Sequence, residues 1–167
     1  MSNKPANKAR YVVMEGYLEY ARVFPENMDN NPEFHPTGQY NTNFYPATEG
    51  DLEKFWKAGV PKAFRGNERL KSADRESWGI GKFIKLKREH VHRFEDLSGP
   101  PEVVHWGDEE KRGTPWTMTE DGELGNGTKV MVKVVVYGEG ERTGHRIDKI
   151  GVMEHVPYES ASDGTRF

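Results

Sequence analysis

Between Trp78 and Phe94 the chain reads W-G-I-G-K-F-I-K-L-K-R-E-H-V-H-R-F, with basic residues interleaved among aromatic ones at strand spacing. The chemistry open to such a segment is binding: ammonium groups track a phosphate backbone, and aromatic faces stack on unpaired bases at about 1–3 kcal/mol each. With a period of two, Phe83, Lys85 and Lys87 fall on one face and Ile84, Leu86 and Arg88 on the other. Phosphates are expected along Lys82, Lys85, Lys87 and Arg88, with a base on Phe83. The competing reading is a solvated strand whose Phe83 and Ile84 simply pack inward.

A second set of rings lies on Gly38–Tyr45, G-Q-Y-N-T-N-F-Y. Alternation puts Tyr40, Thr42 and Phe44 on one side and Asn41, Asn43 and Tyr45 on the other. Either Tyr40 with Phe44, or Tyr45 alone, is then a stacking platform, with core packing as the competing role. Trp78, Trp106 and Trp116 sit in or beside loops, outside any apolar stripe. A tryptophan so placed either waits for a partner or pins its loop, and Trp78 and Trp116 join the candidate nucleic-acid contacts.

Catalytic groupings are weak. His90-Val91-His92 puts two rings on one face of a strand, and with His105 and Asp108 they could be arranged around a metal. No further ligand follows at a diagnostic spacing. The carboxylates concentrate in the irregular stretch Glu95–Glu123, a poor holder for the two-ion cage of a nuclease. Neither a Gly-x-Ser-x-Gly elbow, nor a phosphate loop, nor a dinucleotide fingerprint is present. The expectation is a binding protein and not an enzyme, with no cofactor and no metal.

Charge is segregated along the chain. The net charge is −3, yet Lys57–Arg93 holds eleven Lys/Arg against four acids, a net of +7. Glu95–Gly127 holds nine acids against two basic residues, a net of −7. A local field of this kind is what a polyanion meets, unless the two blocks neutralise each other in the fold. There is no cysteine, which removes disulfides and thiolate metal sites. The N-terminus has no apolar run behind it, and no stretch approaches the ~20 apolar residues of a membrane helix. A soluble, cytoplasmic protein without a membrane partner is expected.

The elements that must position these groups are mostly strands. The sequence is polar, with a mean hydropathy of −0.89 and 18 glycines and 10 prolines, a balance that favours strands and turns. Lys129–Tyr137 is β-branched and nearly continuous, as a buried strand should be. A glycine-flanked polar loop, 138–144, joins it to His145–Val156 in a hairpin. Tyr11–Phe24 is long for one strand, and Gly16 predicts a bend or bulge within it. Gly38–Tyr45 and Gly81–Val91 add two strands. Thr48 and Asp51 form an N-cap pattern for a short helix that Gly59 and Pro61 stop. The stretch 96–127 shows little periodicity and reads as a long loop, ending in a tight turn at Asn126-Gly127. Five strands with one inserted helix fit a mainly β, partly open Greek-key barrel of the OB type, better than a sandwich of seven regularly spaced strands.

Leu124-Gly-Asn-Gly-Thr-Lys-Val130, the valine-rich strand after it and Ile147–Val156 resemble the closing half of bacteriophage single-stranded DNA-binding proteins. Gly38–Tyr45, after its Pro/Asn-rich loop, is similar to that family's second strand. The resemblance covers roughly half of the chain in the expected order. It implies an OB-fold that coats single-stranded DNA with little sequence preference, in replication, recombination or repair in an infected bacterial host, as a possible homo-oligomer. Many such proteins dock replication partners through an acidic tail ending in an aromatic residue. Phe167 ends this chain, but Ser160–Phe167 carries one acid and one arginine, so either the tail works differently or the acidic loop replaces it. The expected organisation is a flexible basic N-terminus over 1–10, an OB-fold domain over 11–157 and a C-terminal tail over 158–167. The alternatives are an OB-like module that binds a host or replisome protein, and a metal-dependent nuclease.

Overall fold

The structure, a computed structural model, describes residues 9–61, 63–64, 67–68, 71–72 and 78–158. Its framework is a strongly bent sheet. In chain order come β1 (Arg10–Arg22), β2 (Gln39–Pro46), the helix α1 (Glu49–Lys57), and three two-residue strands, β3 (Ala63–Phe64), β4 (Asn67–Glu68) and β5 (Lys71–Ser72). Then follow β6 (Lys82–Glu89), β7 (Glu102–His105), the short helix α2 (Met118–Asp121), β8 (Thr128–Tyr137) and β9 (Gly144–Glu154). The spatial order is β5-β6-β2-β1-β8-β9-β7, six strands of four or more residues with the two-residue β5 along β6; β3 and β4 pair apart.

β1 belongs to both halves of the sheet because it pairs with β2 along one edge and with β8 along the other. Its apolar residues alternate, so Val12, Met14 and Leu18 enter the core beside Phe44 from β2, Ile84 and Leu86 from β6, and Val130, Val132 and Ile150 from β8 and β9. The bend expected at Gly16 lies elsewhere. The β1–β2 register jumps between Glu19 and Arg22, where Tyr20 adopts φ +53°. Gly16 serves close packing instead: a Cβ there would stand 2.3 Å from the Tyr45 carbonyl oxygen and 2.6 Å from the Phe44 ring.

α1 is capped as its sequence predicts, with the Thr48 hydroxyl accepting the Asp51 amide at 3.1 Å. Leu52 and Phe55 face the core, and Gly59, at φ +108°, lets the chain leave the helix.

Two expectations are corrected. The stretch 96–127 is not one loop: it contains α2 and β7, and β7 lies parallel to β9. The sheet is therefore a six-strand open sheet, OB-like, and not a closed five-strand barrel. The cause is local. β6 and β7 are consecutive strands separated by a segment that ends in Gly99-Pro100-Pro101, and proline cannot donate to a ladder. One end of the sheet is β6 with the two-residue β5 along it, the other is β7, and the Arg88 guanidinium of β6 donates to the Ile147 carbonyl of β9 at 3.0 Å.

Candidate nucleic-acid interface

β6 alternates cleanly. Ile84, Leu86 and Arg88 are buried, Lys85 and Lys87 are exposed, and Phe83 is half-buried. Lys82 is exposed at the start of the strand. Among the described residues Lys82, Lys85 and Lys87 meet no ion-pair or hydrogen-bond partner. Along the strand Lys85 and Lys87 are about 6.7 Å apart, and past its end Arg93 lies over the Phe94 ring at 4.9 Å. Phe94 is exposed and also stacks on His92 with centroids 5.6 Å apart. In chain order the exposed or half-buried residues Lys82, Phe83, Lys85, Lys87, Arg93 and Phe94 follow one another. Arg93 and Phe94 were not among the expected contacts because they lie past the last strand residue, although the basic-aromatic pattern runs through them. Three acids of the 95–123 block have partners of their own: Asp121 faces His105 at 3.3 Å, Glu123 accepts from Asn27 at 3.0 Å, and Glu102 pairs with Lys149 at 4.0 Å. Arg65, Arg69 and Arg75 of the basic block lie outside the described residues.

Arg88 does not join this edge. It is 9% exposed, and its Nε donates to the Gly99 carbonyl at 2.8 Å while Nη1 donates to Ile147. Burial, with Arg146 nearby, holds its guanidinium below the usual arginine range. The alternation that exposes Lys85 and Lys87 is what turns Arg88 inward.

The expected platform on β2 is corrected outright. All eight residues of β2 are buried. Phe44 is in the core, and the buried Tyr40 shares a 2.7 Å hydrogen bond with His90 Nδ1, burial raising its phenol pKa. Tyr45 is covered by Trp78, edge-on at 5.2 Å, and by Phe83 at 5.4 Å. A buried polar ribbon occupies the side of β2 that alternation left open. Glu19 accepts from Asn43 at 3.1 Å and from the Tyr45 hydroxyl at 2.8 Å. Asn41 donates to Gln39, and Gln39 donates to Glu89. Both faces of β2 are covered, one by the core around Phe44 and the other by Trp78, Phe83 and the Glu19 carboxylate.

The tryptophans pin loops. Trp78 lies against Gly127, where a Cβ would come within 3.2 Å of its ring. Trp116 sits between His105 and His155, at 4.6 and 4.7 Å, and its indole N–H donates to the Gly122 carbonyl at 2.8 Å. Trp106 rests on Gly151 with Arg112 over its ring at 5.4 Å. His90 and His92 are committed separately, His90 to Tyr40 and His92 Nδ1 to the Phe94 amide. Among the described residues no group of three His, Asp or Glu side chains is placed to hold a metal, and no helix is long and apolar enough to cross a membrane.

No protein-family model matches the sequence, and neither does any curated protein. Among solved structures the chain is similar to a single-stranded DNA-binding protein from bacteriophage Enc34, at 12% sequence identity and a TM-score of 0.52. The likeness spans 99% of this chain and 97% of that one. At this identity it is a likeness of fold, and it extends over nearly the whole chain rather than the half that carried the sequence resemblance.

Proposed function

We propose that the chain is a bacteriophage single-stranded DNA-binding protein, coating unpaired strands during replication or recombination. The observation that carries this is the row of exposed cations on β6, Lys82, Lys85 and Lys87, which pair with no described residue, beside Phe83 and followed in the chain by the exposed Arg93 and Phe94. The fold shared with a phage protein that binds single-stranded DNA supports the same reading. Phosphates run along the lysines, and the partly open faces of Phe83 and Phe94 take bases. Because β2 offers no ring, contacts to phosphate outweigh stacking, and the strand lies along one edge of the sheet instead of across its centre. The exposed turn Asp108–Glu110 is the acidic surface at which a replication partner would dock, and the protein works in the cytoplasm of the infected host.

The test is a fluorescence-anisotropy titration of labelled oligothymidine at low salt, with a duplex of the same length as competitor. Tight binding that duplex fails to displace is expected. Absence of binding at low salt, or equal displacement by duplex, would overturn the proposal.

A further inference from the structure

At the end of the sheet opposite the 138–144 hairpin, a cleft of about 570 Å³ opens between the bulge of β1, the loop after it and the chain entering β8. That volume lies within the range of small-molecule sites. Tyr20 and Tyr158 both line it, and they are 63% and 52% exposed. Tyr20 is the one described non-glycine residue with positive φ, at +53°. Its amide donates to the Asn126 side-chain carbonyl at 2.8 Å, and the Gly127 amide donates to the Leu18 carbonyl at 2.8 Å. The turn 126–127 therefore holds the bulge in place. Strain of this kind persists only where the surroundings impose it, and it concentrates at ligand sites. Here it turns an aromatic ring out of the sheet when an ordinary strand residue would have paired with β2. The rest of the lining mixes apolar Ala21, Met28 and Leu124 with three asparagines, with Glu26 and Glu123 as acceptors and Arg22 as a cation. Glu123 is steadied by a hydrogen bond from Asn27.

From this arrangement we infer that the cleft holds a single unstacked nucleobase carrying an exocyclic amino group, cytosine above all, against the two tyrosine rings. The inference rests on the strand-binding reading and sharpens it. Rings supply stacking, which every base accepts. Ionised carboxylates accept hydrogen bonds and donate none, so Glu26 and Glu123 suit the amino group of cytosine, adenine or guanine. Thymine offers two carbonyls flanking one N–H, and it meets those carboxylates unfavourably. Arg22, which lines the same cleft, supplies a cation for a phosphate. The strand so held keeps its general affinity through the β6 edge and gains a base preference at this one position.

The experiment compares the full chain on oligo-dC and oligo-dT of about 16 nucleotides near neutral pH, with free dCMP as a separate arm read by tyrosine fluorescence. Oligo-dC should bind tighter by at least about fivefold, the lower end of what one matched base contact gives. Tyr20→Gly keeps the left-handed backbone without strain, so its melting temperature should hold while the dC preference disappears. Glu26→Gln with Glu123→Gln should erase the preference and leave dT affinity in place. Quenching by dCMP that Tyr20→Gly abolishes would support the cleft as a site for free nucleotides too; binding seen with oligomers alone would support it as a site within the strand. Equal affinity for the two oligomers, or a preference that survives both variants, overturns the inference and leaves the β6 edge untouched. If neither oligomer binds, the strand-binding reading falls; the dCMP arm then decides the cleft, upheld by quenching that Tyr20→Gly removes and overturned by its absence.

Discussion

The guanidinium of Arg88 donates to the carbonyls of Gly99 and Ile147, whereas the ammonium of Lys87, one position earlier, ends in solvent. Two neighbouring cations thus separate into a buried structural one and an exposed one that the proposal assigns to binding, and they should separate in experiment. Arg88→Met leaves one buried and one part-buried carbonyl without their donor and should cost about 2 kcal/mol in denaturant unfolding, with the salt dependence of DNA binding unchanged. Lys87→Ala should shift stability by no more than about 0.5 kcal/mol and weaken binding. Equal stability losses in the two variants would contradict the assignment. At this scale β6 was legible because its alternation is strict. The fate of Tyr40, Phe44 and Tyr45 was not. Period two says which residues share a face, but not whether the rest of the chain covers that face, and both faces of β2 are covered. The ring of Tyr45 and the carboxylate of Glu19, 26 positions apart, meet at 2.8 Å, a contact no local pattern encodes.

Elements show the same division between local and distant causes. α1, the β8–β9 hairpin and the turn at Asn126-Gly127 follow from capping, glycine placement and β-branched runs, all readable within a few residues. β7 does not. It is four residues long, set among proline and acidic residues, and becomes a strand through parallel pairing with β9 more than forty positions away. Missing it turned six strands into five and an open sheet into a partly open barrel. The crossing of β1 and β2 gives the sharpest test at this level. Gly16 lies where a methyl group would collide with backbone and with the Phe44 ring. Gly16→Ala should therefore lower stability by about 2 kcal/mol or more through overpacking, measured by urea unfolding. A loss below about 0.5 kcal/mol would show that the sheet yields at this crossing.

For the whole molecule, the question is whether a chain with net charge −3 can hold a polyanion. It can if the basic block stays unneutralised on one edge. Among the described residues the acids of 95–123 do not reach Lys82, Lys85 or Lys87. The surface is a line of cations with few free rings, so affinity should be strongly salt-dependent. Phe83→Ala, which removes a half-buried ring packed on Tyr45, should weaken binding to single strands with little change in salt dependence. The most direct measurement is the logarithmic slope of the oligothymidine binding constant against salt, for the natural chain and for Lys85→Ala with Lys87→Ala. About three neutralised phosphates give a slope near −2, since each contact to a single strand contributes about −0.7, and the double variant should flatten it to roughly −0.7. A slope near zero in the natural chain, or one that the double variant leaves unchanged, would contradict the placement of the strand on β6.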